Sequence, residues 1–112
     1  MNDQELEKGK GHITVEIIEY LPGAIVSRTI LSKITGSVTA SSFSQGEGLS
    51  EKTTPFDTFI QIIEGKAEIV IDGQHSLLET GYSIVIPAHA SSFITPNGMF
   101  KMIQTVIKSG FE

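Results

Sequence analysis

Residues 68–78 read EIVIDGQHSLL, and this stretch decides the fold. Asp72-Gly73 supplies the two positive-φ positions of a type I′ turn, and the flanking residues carry the alternating and apolar runs of strands. A tight β-hairpin is therefore expected here. Upstream, IIEGKAEI (62–69) places Gly65 at a second reversal, and downstream, ETGYSIVIPA (79–88) places Gly81 at a third. Strands recur at the short, even spacing that sandwiches and barrels require. The expected strands are 13–20, 24–34, 37–43, 57–63, 66–72, 75–79, 82–86, 91–95 and 99–107. No helix-length stretch carries apolar residues at i, i+3, i+4 and i+7. The fold class is all-β, and this many short strands can close into a jelly roll, a β-barrel or sandwich that limits exposed edges.

The chain has 112 residues, enough for one core but not for two. Residues 1–11, MNDQELEKGKG, carry five charged side chains and one large apolar residue besides Met1. That composition buries too little to offset the entropy of ordering, so a flexible N-terminal tail is expected there, with a single domain over residues 12–112. With 8 Lys plus Arg against 13 Asp plus Glu, the formal net charge is −5. The basic residues are scattered singly, so nothing suggests nucleic acid as a partner. Cysteine is absent, which removes disulfides, thiolate zinc sites and a cysteine nucleophile. The apolar runs are short and the N-terminus lacks an apolar signal core, so a soluble, cytoplasmic protein with no membrane partner is expected.

The three histidines, His12, His75 and His89, show no H-x-H or H-x-x-x-H spacing that would put two imidazoles on one face. His89, in the loop IPAHASSF, is the candidate for a functional role, set against a solvated rim residue. No glycine-rich phosphate loop and no G-x-S-x-G elbow is present. Met99, Phe100, Met102 and Ile103 read as the core of the last strand. The remaining cluster is EGLSEKTTPFDTF (47–59). From Asp57 the chain alternates Asp57, Phe59, Gln61, Ile63 on one face and Thr58, Ile60, Ile62, a core face, on the other. If the first face looks into a barrel, Asp57 and Gln61 are interior polar groups, with Lys52 a partner for Asp57. The alternative is a solvated surface loop beside an exposed strand.

The order of these features resembles the small single-domain bacterial cupins, of the germin- and RmlC-like superfamily, over nearly all of residues 17–108. The lead-in YLPGAIVSRTIL (20–31), the segment GEGLSEKTTPFDTFIQIIEGKAEIVIDG (46–73) and the segment GYSIVIPAHASSF (81–93) carry the resemblance. The latter two resemble the first and second cupin motifs, G-x5-H-x-H-x3–4-E-x6-G and G-x5-P-x-G-x2-H. The resemblance implies a cupin double-stranded β-helix and matches the scaffold at Gly46, Gly65, Gly81 and Pro87. The family's metal-ligand positions fall instead on Ser50, Lys52, Asp57 and Ser92. An ammonium within a coordination sphere repels a divalent cation, so no metal or other cofactor is expected.

Three functions follow as expectations. The first is a metal-free cupin binding a small molecule, anionic if Lys52 is free of a carboxylate partner, in the barrel mouth through Ser50, Lys52, Asp57, Gln61, Ser92 and His89. The second is an enzyme, metal-dependent or using Lys52 or His89 in acid–base chemistry as a dioxygenase, isomerase or cyclase. The third is a structural or regulatory module working as a homodimer, which the resemblance suggests would pair through ITVEIIEY (13–20).

Overall fold

The structure is a computed structural model that describes residues 5–108. Its spine is one long strand, and the others are arranged around it. The strands are β1 (Ile25–Lys33), β2 (Gly36–Phe43), β3 (Leu49–Thr53), β4 (Asp57–Ile71), β5 (Gln74–Glu79), β6 (Ser83–Ile86), β7 (Ser91–Ile94) and β8 (Phe100–Ile107). The hairpin forms as the sequence dictates: Asp72 and Gly73 have φ of 48° and 83°, and Ile71 stands opposite Gln74. Gly81 turns the chain between β5 and β6, where the Tyr82 N–H donates to the Glu79 carbonyl at 2.8 Å.

Gly65 does something other than the expected reversal. The stretches read as strands 57–63 and 66–72 are a single strand, β4, and Gly65 is the bend at which it passes from one sheet to the other. Before the bend β4 pairs with β8 and β6; after it, with β5 and β7. Gly65 sits at φ 92°, and a Cβ there would meet the Met99 carbonyl oxygen at 2.5 Å and Phe100 Cα at 3.0 Å. Both the dihedral and the close approach require glycine.

One sheet therefore runs β1, β2, β8, the first half of β4, then β6, and the facing sheet runs β5, the second half of β4, β7, then β3. All pairings are antiparallel, as in a jelly roll. Strand β3 was not expected from the sequence, because its residues LSEKT offer one apolar side chain and no clear alternation.

The two ends of the interior differ. At one end Phe43 and Phe100 stack with ring centroids 4.3 Å apart, and Ile62, Ile69 and Met102 close around them, all nearly inaccessible to solvent. Met99, expected in this core, is exposed, and Ile103 points to the opposite face of β8 from Met102. At the other end the inward positions of β4 and β8 carry Thr58, Gln104 and Val106, which are too small or too polar to fill the space.

The expected strand at 13–20 is not formed. A 3-10 turn spans Thr14–Glu16, and the segment lies across the outer face of the first sheet. Its carbonyls are taken by side chains rather than by a ladder. Lys101 Nζ donates to Val15 O at 2.7 Å, Arg28 to Ile17 O at 3.2 Å, and Ser42 Oγ to Glu19 O at 2.8 Å. Ile18 is buried there, and the Tyr20 ring lies 5.0 Å beneath the Lys101 ammonium. Burial of the Tyr20 phenol, with the Glu64 carboxylate beside it, pushes its pKa up to about 12. Earlier still, the Leu6 N–H donates to Ile30 O at 3.1 Å and the Glu5 carboxylate accepts the Ser32 N–H at 2.7 Å. These bonds cover part of the edge of β1, where an open ladder would invite another strand. Residues 1–4 of the expected tail lie outside the described residues.

Candidate functional site

Between the two sheets, at the end not filled by the phenylalanine stack, lies a cavity of about 80 Å³. Its floor is apolar and buried, formed by Ile60, Ile69 and Ile94. Its rim is formed by Lys52, Phe56 and Pro87, of which Lys52 and Pro87 are exposed. Polar atoms come from both sheets. Lys52 on β3 stands directly opposite Ser92 on β7, while Thr58 on β4 and Gln104 on β8 face them from the other sheet. Among the hydrogen bonds of the described residues, none is made by the side chains of Lys52, Thr58, Ser92 or Gln104. Among the described residues Lys52 also forms no ion pair. The lining has no carboxylate and no imidazole.

Two of the six residues selected from the sequence, Lys52 and Ser92, meet in this cavity. The other four are elsewhere. Asp57 lies on the outward face of β4, exposed, and its Oδ1 accepts the Ala88 N–H at 2.8 Å. It fastens the rim from outside and does not pair with Lys52. Gln61, on the same outward face, borders an open groove with Thr14, Val15 and Tyr82. Ser50 faces a surface groove beside Glu51 and Pro96, because the β3–β7 register shifts between Leu49 and Lys52 and the period-2 relation of Ser50 to Lys52 is lost. His89 is exposed at φ 73°, with its N–H bonded to the Thr54 carbonyl at 2.6 Å. A left-handed backbone is uncommon for a residue other than glycine and fixes the shape of the loop that borders the cavity. Glu51 accepts a hydrogen bond from Ser91 Oγ, away from the cavity.

The two faces at Asp57 alternate as expected, with Thr58, Ile60 and Ile62 forming the core face, while the other face does not look into the barrel. That assignment keeps Asp57 and Gln61 out of the barrel interior. It also shows which polar residues were passed over: Thr58, taken as core with its apolar neighbours, and Gln104. The signal for Gln104 lies in FKMIQTVI (100–107), where it breaks the inward series Phe100, Met102, Val106.

The cupin resemblance raises the question of a metal ion. Among the described residues no group of three or more His, Cys, Asp or Glu side chains could hold one. The positions that match the family's ligands are dispersed: Ser50 and Asp57 point away from the cavity, and Lys52 and Ser92 bring an ammonium and a hydroxyl. This donor set does not fit a divalent transition-metal ion.

Comparison with solved structures identifies the class. A conserved protein of unknown function from Streptococcus pyogenes superposes with a TM-score of 0.89 at 23% identity, over 99% of this chain and 97% of that one. A cupin superfamily protein from Desulfitobacterium hafniense gives 0.87 at 26% identity, over 97% of this chain and 100% of that one. A cupin 2 conserved barrel domain protein from Leptotrichia buccalis gives 0.80 at 29% identity, over 84% of this chain and 46% of that one. No family model matches the sequence, and no curated protein matches it. The chain has the cupin jelly-roll fold, and its structural neighbours are cupin superfamily proteins. No helix among the described residues is long and apolar enough to cross a membrane.

Proposed function

We propose that this chain is a metal-free cupin that binds a small anionic molecule in the mouth of its barrel. One observation carries the reading: the cavity lining presents an ammonium, hydroxyls and an amide over an apolar floor, with no carboxylate to neutralise the lysine. Enclosed, mostly apolar concavities with a few convergent polar groups are where small molecules bind. An ammonium at the rim selects for negative charge, and Ser92 beside it offers a second donor to the same oxygen atoms. The Lys52–Asp57 pairing that would have cancelled this charge is not made, because Asp57 lies on the outward face of β4, where it accepts the Ala88 N–H.

The test is calorimetric titration of the full chain with short carboxylic acids and their uncharged amides, before and after Lys52→Met. A charge-assisted hydrogen bond contributes about 1.5–3 kcal/mol, so the substitution is expected to weaken acid binding roughly 10- to 100-fold. The amides should bind weakly to both proteins. Equal affinity of wild type and Lys52→Met for every acid would remove this reading. So would a stoichiometric transition metal in protein purified without chelator or histidine tag.

A further inference from the structure

The cavity has polar groups on two opposed walls, and this limits what its ligand can be. Lys52 and Ser92 are a directly paired position on β3 and β7. Thr58 and Gln104 lie on β4 and β8, in the facing sheet, where Gln104 is opposite Ile60 and Thr58 opposite Val106. Facing sheets are about 10 Å apart, so side chains from the two walls approach one small molecule from opposite ends. Gln104 is next to the buried floor residue Ile60, which places its amide deeper than the exposed rim lysine. A ligand with a carboxylate alone would engage Lys52 and leave the half-buried Gln104 amide, which makes no hydrogen bond among the described residues, without a ligand partner. A second oxygen would be matched there, since an amide both donates and accepts and the Thr58 hydroxyl does the same.

Size is the other limit. A water-sized centre needs about 10–15 Å³, so a cavity of about 80 Å³ holds a molecule of about five to eight non-hydrogen atoms. We propose that the ligand is a short bifunctional acid, its carboxylate held by Lys52 and Ser92 and a hydroxyl or keto oxygen read by Gln104 with Thr58. This rests on the anion-binding reading above and adds Gln104 as the specificity-determining residue. It also identifies the ligand class as short hydroxy or oxo acids rather than plain fatty acids.

The experiment compares butyrate, 3-hydroxybutyrate and 4-hydroxybutyrate by calorimetry on wild type, Gln104→Leu, Thr58→Val and Lys52→Met, with ligand-free melting to establish that each variant folds. At least one hydroxy acid is expected to bind wild type roughly tenfold more tightly than butyrate, the effect of one net hydrogen bond. Gln104→Leu should bring that hydroxy acid to parity with butyrate while leaving butyrate within about twofold. Thr58→Val, a separate and nearly isosteric change, should erode the same preference. Butyrate binding wild type as tightly as both hydroxy acids, or Gln104→Leu weakening all three alike, overturns the role of Gln104 while the lysine reading stands. Weaker binding of all three acids by Lys52→Met with the hydroxyl preference kept supports both. An unchanged Lys52→Met removes the anion-binding reading itself. Failure of all three acids to bind wild type at millimolar concentration overturns the ligand class.

Discussion

Replacing Lys101 with methionine should release the segment that covers the first sheet. Lys101 is 8% exposed, its Nζ donates to Val15 O at 2.7 Å, stands 3.5 Å from Glu64 Oε1 and lies 5.0 Å from the Tyr20 ring centroid. Methionine keeps most of the buried stem and removes only the head group. A hydrogen bond from a charged donor contributes about 1.5–3 kcal/mol. The cation–π contact adds about 0.5–1 kcal/mol. Glu64 is 48% exposed, so its ion pair adds a few tenths at most. Relief of the desolvated ammonium offsets part of this sum. The expected net loss is about 2 kcal/mol, or a fall in Tm of roughly 8 °C for a chain of this size. Urea unfolding followed by circular dichroism measures it. A lower m-value should accompany the loss, because a segment freed in the native state is no longer exposed on unfolding. A variant within about 0.5 kcal/mol of wild type, with an unchanged m-value, would show that the segment is held by other contacts.

Phe100→Ala removes one ring of the Phe43 stack from a site 1% exposed, and chemical denaturation should report a loss of about 3–5 kcal/mol. Gly65→Ala must adopt φ 92° and push against Met99 and Phe100, so a loss of at least about 2 kcal/mol is expected, whereas an alanine at Gly98, where a Cβ would meet nothing within 4 Å, should be tolerated in the same assay. The hydrogen bond from His75 to Glu68, 2.9 Å long, holds the Glu68 carboxyl below its ordinary value of 4.5, with Thr95 helping. A depressed folded-state pKa gives stability that is present above the unfolded value and lost as pH falls through the folded one. Carboxyl titration by NMR should therefore find Glu68 low in wild type and raised in His75→Ala; no difference between them refutes the pairing.

The hairpin at Asp72-Gly73 was legible because a two-residue positive-φ turn leaves few alternatives, and one hairpin with evenly spaced strands is enough to reach an all-β barrel. The continuity of β4 through Gly65 was not, since a glycine at positive φ serves a reversal and a sheet-to-sheet bend equally well. ITVEIIEY has strand composition, and only its position over Lys101, Arg28 and Ser42 shows that side chains replace the ladder. At the candidate site the cupin resemblance pointed to Lys52 and Ser92, which line the cavity, and equally to Ser50 and Asp57, which do not; an interior Asp57 and Gln61 also needed a choice of face that period-2 alternation alone does not make. Thr58 and Gln104 were hidden for the opposite reason: a polar residue among core neighbours reads as an exception until a cavity is seen beside it.

The central claim is that Lys52 and Ser92 form one end of an anion site in the cavity between the two sheets. A crystal structure of the wild-type chain soaked with a short hydroxy acid tests this directly. The account predicts carboxylate density within hydrogen-bonding distance of both Lys52 Nζ and Ser92 Oγ, with the ligand's second oxygen toward Gln104. A metal ion coordinated in the cavity, or acid bound only outside it, would contradict the account.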